Sequence, residues 1–303
     1  VLLVLLVALV VGVGGYLDTQ LTRTDAFVDY AGRPDSSGTN WLIVGSDSRA
    51  DLSGQQERQW ATGNAAGQRT DTIMLLHTGR SGPTLVSLPR DSYLAIPGYG
   101  RNKLNAAYSF GGPKLLVRSV EQATGLRIDH FAEIGFGGFV DVVDAVGGVD
   151  MCIPEPMKDP KAGLNVKAGC QELDGRTALG YVRSRATPRA DLDRIEHQRE
   201  FLSALMNRVV SPATLVNPFR IVPLVQAIPG ALTVDEGDHV WNLAFLAAAM
   251  RELSGGGGVT TTVPIGGFAT ADGQSVLRWD NTKAKRLFAA LADDEAVPKG
   301  ALG

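Results

Sequence analysis

Little in these 303 residues could build a metal cage, a thiol centre or a covalent nucleophile: there are two cysteines and four histidines. His77, His130, His197 and His239 show no metal-ligand spacing, so each reads as a structural or superficial residue. There is no G-x-S-x-G elbow, no P-loop and no H-E-x-x-H pair. No basic tract interrupts a chain whose net charge is −3, which argues against bulk polyanion binding and hence against nucleic acid as partner. Any anion site has to be a local cluster of Arg and Lys. No internal repeat and no second chemistry follow Val210.

Charge is also missing from Val1–Leu17, where the first ionisable group is Asp18. Seventeen apolar residues fall just short of the roughly 20 that cross a bilayer. The chain begins with Val rather than Met, and no A-x-A cleavage pattern follows Gly15. The expectation is a retained membrane anchor at 1–17, N-terminally truncated, and a juxtamembrane helix and linker at 18–39. A domain placed outside the membrane meets an oxidising compartment, so Cys152 and Cys170 are expected to form a disulfide rather than remain two unrelated thiols.

What is present is charge delivered at strand ends. Trp41–Val44 reads as a buried strand; Gly45 then lets the backbone turn, and Asp47 and Arg49 follow. The Gly- and Gln-rich stretch Ala50–Gln68 reads as a surface loop. Arg69 and Asp71 stand at the entrance of the strand Thr72–Leu76, and the strand Thr84–Leu88 runs into Pro89–Arg90–Asp91. Arg101, Lys103 and Asn105 form another alternating set. Tyr181–Arg199 carries five arginines: Arg183 and Arg185, two apart in a stretch that reads as extended, leave one face of a strand. From Asp191 a helical pattern puts Asp191, Arg194 and Gln198 on one face. Guanidinium forks, an amide and carboxylates in this pattern suit a pyrophosphate. For any one set, a solvated salt bridge remains the simpler reading.

The ordered succession GSDSR, RTDT, SLPRD, KLNAAY, DAVGGVDM, YVRSR and DLDRIEHQ behind an apolar N-terminus resembles the LytR-CpsA-Psr family of cell-envelope enzymes, in its high-GC Gram-positive branch. The resemblance covers roughly 40–210. It implies an α/β (α+β) fold, a central mostly antiparallel or mixed sheet flanked by helices on both sides, in a single catalytic core at 40–210 that residues 211–303 complete. It also implies a phosphotransferase that moves a glycopolymer from a polyprenyl-pyrophosphate carrier to the C6 hydroxyl of peptidoglycan N-acetylmuramic acid and releases polyprenyl phosphate. Arabinogalactan is the polymer that branch suggests. By the same resemblance Asp47 and Asp71 hold Mg²⁺, with Mn²⁺ as a substitute. Arg69, Arg90, Lys103, Arg183, Arg185, Arg194 and Gln198 surround the pyrophosphate, and Asp191 orients the arginines. Arg90, Arg183, Arg185, Asp191 and Arg194 carry catalysis. The chain departs from the family at the 50–68 insertion, at Asp193 and at His197, which stands where an arginine is common.

Phosphoryl transfer needs alignment and charge neutralisation more than a nucleophile, so the residues support this chemistry independently. Asp71 and Asp91 are the two candidates for the proton acceptor. A polyprenyl-pyrophosphate hydrolase and a non-enzymatic envelope-binding or regulatory protein remain the alternatives. In the framework, Gly111–Pro113 reads as a helix start and Gly125 as its cap, with a strand at Ile128–Ile134. Phe136, Phe139, Val140, Val143 and Val146 read as core packing, or as a wall for a polyprenyl chain. Helices are expected at Val216–Ile228, Asp235–Leu253 and Thr282–Ala292, and strands at Val259–Val263 and Ser275–Trp279.

Overall fold

The run Trp41–Val44 has no polar residue because the strand that holds it, β2 (Thr39–Ser46), is covered on both faces. Its neighbour β3 (Thr70–Thr78) is similarly buried from Ile73 to His77. The computed structural model describes residues 2–47, 70–184, 191–209, 211–215 and 217–303, without the side chains of 2–10, 191–196, 212, 215 and 218. The insertion read at 50–68, and with it Arg69 and Arg185, lies outside these residues.

The remaining strands, in chain order, are β1 (Thr22–Thr24), β4 (Thr84–Ser87), β5 (Tyr93–Ile96), β6 (Gly100–Lys103), β7 (His130–Ile134), β8 (Val149–Ile153), β9 (Met157–Asp159) and β10 (Leu164–Val166). They continue with β11 (Gly169–Leu173), β12 (Leu232–Asp235), β13 (Val259–Thr262), β14 (Ile265–Ala271) and β15 (Gln274–Trp279). The longer helices are α1 (Leu2–Thr19), α2 (Leu104–Thr124), α3 (Phe136–Ala145), α4 (Gly175–Arg183), α5 (Asp191–Val209), α6 (Pro218–Ala231), α7 (Val240–Ser254) and α8 (Asn281–Ala292). Contacts divide the described chain into two units. A sheet unit draws on Thr24–Ser48, Asn64–Glu133 and Glu252–Gly303, and a helical unit on Val1–Arg23 and Ile134–Arg251.

In the sheet unit the strands run in the order β7-β2-β3-β4-β13. β2 pairs β3 antiparallel with Leu42 opposite Leu75, and β3 pairs β4 antiparallel with Leu76 opposite Leu85. β13 joins β4 in parallel, so the sheet is mixed, as the resemblance implies. Leu42, Leu75 and Val86 of the sheet pack with Leu116, Val117 and Val120 of α2 and Leu287, Phe288 and Leu291 of α8. Each such side chain, fully buried, contributes about 1.5–3 kcal/mol relative to an exposed one. α2 starts earlier than Gly111–Pro113 and breaks there instead: Gly112 takes φ 62° and ψ −154°, a conformation open almost only to glycine, and Pro113 restarts the helix. Gly125, at φ 73°, closes it as expected.

The C-terminal part differs from expectation in two places. The segment from Asp235 is not one helix: β12 ends at Asp235, whose carboxylate accepts from the Gly237 N–H at 2.8 Å in a tight turn, and α7 begins only at Val240. β14, whose pattern is broken by Gly266 and Gly267, pairs β15 through a turn at Asp272 and Gly273, both at positive φ.

In the helical unit, β12 lies beside β1. α3 carries Val142 and Val143 into a core with Val149, Met151 and Ile153 of β8 and Phe201 and Leu205 of α5. α3 approaches the end of α6 so closely that a Cβ on Gly138 would lie 2.3 Å from the Ala231 carbonyl oxygen. Cys152 and Cys170 stand opposite each other on the antiparallel pair β8–β11 and are joined as a disulfide, with sequence separation 18. By loop entropy, a link of that span is worth about 3 kcal/mol. Where a juxtamembrane helix was expected from Asp18, α1 itself runs to Thr19 and the short strand β1 follows. Among the described residues no helix is long and apolar enough to cross a membrane.

His77 is fully buried on β3, with Nδ1 2.9 Å from Asn40 Oδ1 and Nε2 3.4 Å from Asp294 Oδ1. Burial holds its pKa below the ordinary histidine value, against the opposing pull of Asp294. The folded state therefore binds a proton later than the unfolded chain does. The stabilising contribution of neutral His77 is complete above the unfolded value of about 6.5 and is lost as pH falls below it toward the folded value. The loss of stability in urea titrations between about pH 7.5 and about pH 5.5 should be larger for the natural chain than for His77→Gln. Equal slopes in the two proteins would show that His77 does not titrate out of register with the unfolded chain.

Candidate functional site

The antiparallel register brings charges from three segments to one end of the sheet. Ser46, the last residue of β2, pairs with Thr70 across a bulge, so Asp47 leaves β2 beside the point where Asp71 enters β3. Ser87 of β4 pairs with Met74, and the ladder continues with the Leu88 N–H donating to the Ile73 carbonyl at 2.8 Å. Carried two residues further, the same register sets Arg90 opposite Asp71. The Arg90 Nη1 does bond to Asp71 Oδ1 as an ion pair.

Arg90 and its neighbour are then fixed by the chain that follows. Asp91 Oδ2 lies 3.4 Å from Arg90 Nε, and Asp91 Oδ1 lies 2.7 Å from Lys103 Nζ. Lys103 ends the hairpin strand β6 opposite Tyr93 of β5. The backbone is held by Leu277 N–H to the Asp91 carbonyl (2.9 Å), Leu104 N–H to the Ser92 carbonyl (2.9 Å) and Asn105 N–H to the Arg90 carbonyl (3.1 Å). The Trp279 indole N–H donates to the Ser92 hydroxyl at 2.8 Å. Asp71, Arg90, Asp91 and Lys103 thus form a half-buried ladder of alternating sign: two cations and two carboxylates. Half-exposed pairs of this kind add little stability, so the ladder does little for the fold itself. Asn105, expected to alternate with Lys103 along a strand, is instead in the first turn of α2.

Behind Asp47 lies a pair that the motifs did not single out. The Tyr108 hydroxyl donates to Glu133 Oε2 at 2.7 Å, and both residues are buried. Burial, the Glu133 carboxylate and the charge of Asp47 push the Tyr108 phenol above its ordinary pKa. Nothing in the spacing of Tyr108 and Glu133 announces this contact. Among the described residues no three His, Cys, Asp or Glu side chains group to hold a metal. Asp47 and Asp71 offer only hard carboxylate oxygens at one sheet end, a donor set that fits Mg²⁺, which takes one or two carboxylates and completes its shell with phosphate and water.

In the helical unit, Arg183 is not on a strand. It is the last residue of α4, a helix started by Asp174, whose carboxylate accepts from the Thr177 N–H at 2.8 Å, and driven by the burial of Ala178, Leu179 and Tyr181. The extended reading of YVRSR fails because those buried positions recur with a helical period. Only at Ser184 does the chain become extended (φ −62°, ψ 140°), and its hydroxyl donates to Asp159 Oδ2 at 3.0 Å. The Arg183 guanidinium lies over the Phe136 ring, 4.7 Å from its centroid. Phe136 and Val140 are themselves buried with Leu179, and Val143 and Val146 belong to the larger core.

Asp191, Arg194 and Gln198 lie on the helix α5, as expected. The backbones of Asp191 and Arg194 lie in its first turns, and their side chains are outside the described atoms. Gln198 Nε2 donates to the Val182 carbonyl at 3.2 Å, so this side chain holds the end of α4 next to Arg183. His197 packs on Tyr181, ring centroids 4.7 Å apart, and the Tyr181 hydroxyl reaches Glu200 at 3.5 Å.

The LytR_cpsA_psr family model matches residues 18–293. The chain is 55% identical to the "Probable cell wall biosynthesis protein LcpB" of Corynebacterium glutamicum, over 91% of this chain and 66% of that one. It is 34% identical to the "Cell wall biosynthesis protein LcpA" of the same organism, over 88% of this chain and 58% of that one. It therefore spans less than two thirds of the length of either relative. Its fold is similar to that of the solved "LytR-Csp2A-Psr enzyme from Actinomyces oris", with TM-score 0.70 and 23% identity over 90% of this chain and 96% of that one. A match over nearly its whole length makes this chain a member of the LytR-CpsA-Psr family.

Proposed function

We propose that this protein is a phosphotransferase of cell wall biosynthesis. It moves a glycopolymer from a polyprenyl-pyrophosphate carrier to the C6 hydroxyl of N-acetylmuramic acid in peptidoglycan. The observation that carries the reading is the Asp71–Arg90–Asp91–Lys103 ladder. Its cations are already matched by carboxylates, so an anion binds well only if something else neutralises Asp71. Asp47 and Asp71 would hold Mg²⁺, with Mn²⁺ as a substitute, and the ion would supply charge neutralisation at the phosphate oxygens. Arg90, released from Asp71, is then free to turn its fork to phosphate. The names of both Corynebacterium relatives support the cell wall assignment.

In the reaction, the acceptor hydroxyl oxygen bonds to the glycan-side phosphorus while the bond from that phosphorus to the bridging oxygen breaks. Polyprenyl phosphate leaves with the electron pair, and the hydroxyl proton is released. Arg90 and Lys103 stabilise charge on the phosphates; the family motifs assign Arg69, Arg183, Arg185 and Arg194 to the same task and Asp191 to orienting the arginines. Asp91, with a cation at each oxygen, positions Arg90 and Lys103 and is poorly placed to take a proton. Of the two candidates for that role, it is the less suited. The charge-free run Val1–Leu17 supports a membrane tether with the catalytic part on the outer side, where the Cys152–Cys170 bond would persist.

The test supplies lipid-linked donor with and without peptidoglycan, in Mg²⁺ or in EDTA. Polyprenyl phosphate should appear only with acceptor and metal. Equal release without acceptor would make the protein a hydrolase, and full activity in EDTA would remove the metal from the reading. Arg90→Ala and Arg183→Ala should each lower transfer about 10²–10³-fold with unchanged circular dichroism. Turnover equal to the natural chain in either variant would count decisively against the assignment.

Asp91→Asn separates positioning from proton transfer. It should lower kcat about 10–100-fold at every pH, leaving the shape of the pH profile intact. A profile that loses one limb would instead make Asp91 the base.

A further inference from the structure

A helix that packs one side on a domain normally turns charged residues to the other. Over several turns two helices of the helical unit do not. On α7 the exposed positions Trp241, Ala244, Phe245 and Ala248 recur at helical spacing, while Leu243 and Met250 face inward. Trp241 is 53% and Phe245 71% exposed. On α6 the exposed positions are Phe219, Val222, Pro223 and Gln226, again one face, opposite the buried Leu224; Phe219 is 87% exposed. The α6 face carries no charge, and the α7 face carries none from Trp241 to Ala248; its first charges are Arg251 and Glu252 in the last turn.

These faces are attached to α1, whose exposed residues include Val11 and Tyr16. α1 packs on α6. Its end is locked to the start of α7: Asp18 Oδ1 accepts from the Val240 N–H at 2.9 Å, and Asp18 Oδ2 lies 3.0 Å from both His239 Nδ1 and a guanidinium nitrogen of Arg23. The Arg23 guanidinium also donates to the Glu236 carbonyl at 3.2 Å, and the His239 ring stacks on Trp241 with centroids 4.2 Å apart. Trp241 is therefore held one helical turn or less from the point where the charge-free run Val1–Leu17 ends.

We propose that the exposed faces of α6 and α7 rest in the interfacial layer of a lipid bilayer, beside α1, so that the helical unit is seated on the membrane rather than merely tethered to it. This rests on the N-terminal tether proposed above. The occupant is lipid rather than protein because the medium that surrounds α1 reaches the first turn of α7 through the Asp18 lock. The residues displayed there, Trp, Phe and Tyr without charge, are those that favour the bilayer interface.

The full chain is reconstituted into phosphatidylcholine vesicles whose acyl chains are or are not brominated, and tryptophan emission is compared between the natural chain and Trp241→Phe. Bromination should quench a blue-shifted component in the natural chain that is absent from Trp241→Phe. Phe219→Asp with Phe245→Asp, both at exposed positions, should restore a water-like emission from Trp241 without detaching the chain from vesicles. A chain that stays with vesicles through an alkaline wash but shows no quenching from Trp241 overturns the seating and leaves the tether standing. A chain that washes off overturns both. Shielding of Trp241 that depends on the protein-to-lipid ratio and not on bromination would assign the face to a second copy of the chain and would equally overturn the proposal.

Discussion

The pairing of β2, β3 and β4 is the constraint on which the charged end of the sheet depends. Side chains alternate along a strand, so a slip of one residue between β3 and β4 would turn Asp71 away from Arg90 and break the packing of Ile73 and Leu75 in the core they share with α2 and α8. Apolar burial thereby fixes the position of groups that contribute little stability of their own. The hairpin β5–β6 and the start of α2 extend the same discipline to Lys103, since the backbone bonds around Arg90 and Asp91 involve buried residues such as Ser92, Leu104 and Leu277.

Much of this was legible because it rests on local pattern. The uninterrupted apolar run at 41–44 announces a strand buried on both faces, and charged residues directly after such a run must emerge at a sheet end. The helix end at Gly125 follows from capping chemistry. What could not be seen are contacts between residues distant in the chain. The Tyr108–Glu133 bond joins α2 to β7, and the stacking of Arg183 on Phe136 joins the ends of two helices. Neither leaves a mark in spacing. The misreading of Arg183 as a strand residue has a different origin: alternation of Arg with small residues looks extended when only the polar positions are followed, whereas the buried Ala178, Leu179 and Tyr181 decide the period.

The two units use different means to hold an arginine. Arg90 is framed by carboxylates, so its direction is set by charge. Arg183 lies on an aromatic ring at a helix terminus, with Gln198 closing the adjacent carbonyl, so its direction is set by stacking and by the end of the helix. A guanidinium held by carboxylates is exchangeable when one carboxylate is otherwise engaged.

The balanced signs of Asp71, Arg90, Asp91 and Lys103 have a kinetic corollary. Four groups that sum to zero project almost no field beyond their own contacts, so they cannot draw phosphate-bearing solutes from a distance. Encounter with a carrier would then be governed by diffusion in the plane where the carrier resides, nearly insensitive to ionic strength, and free inorganic phosphate in the surroundings would gain little by competing.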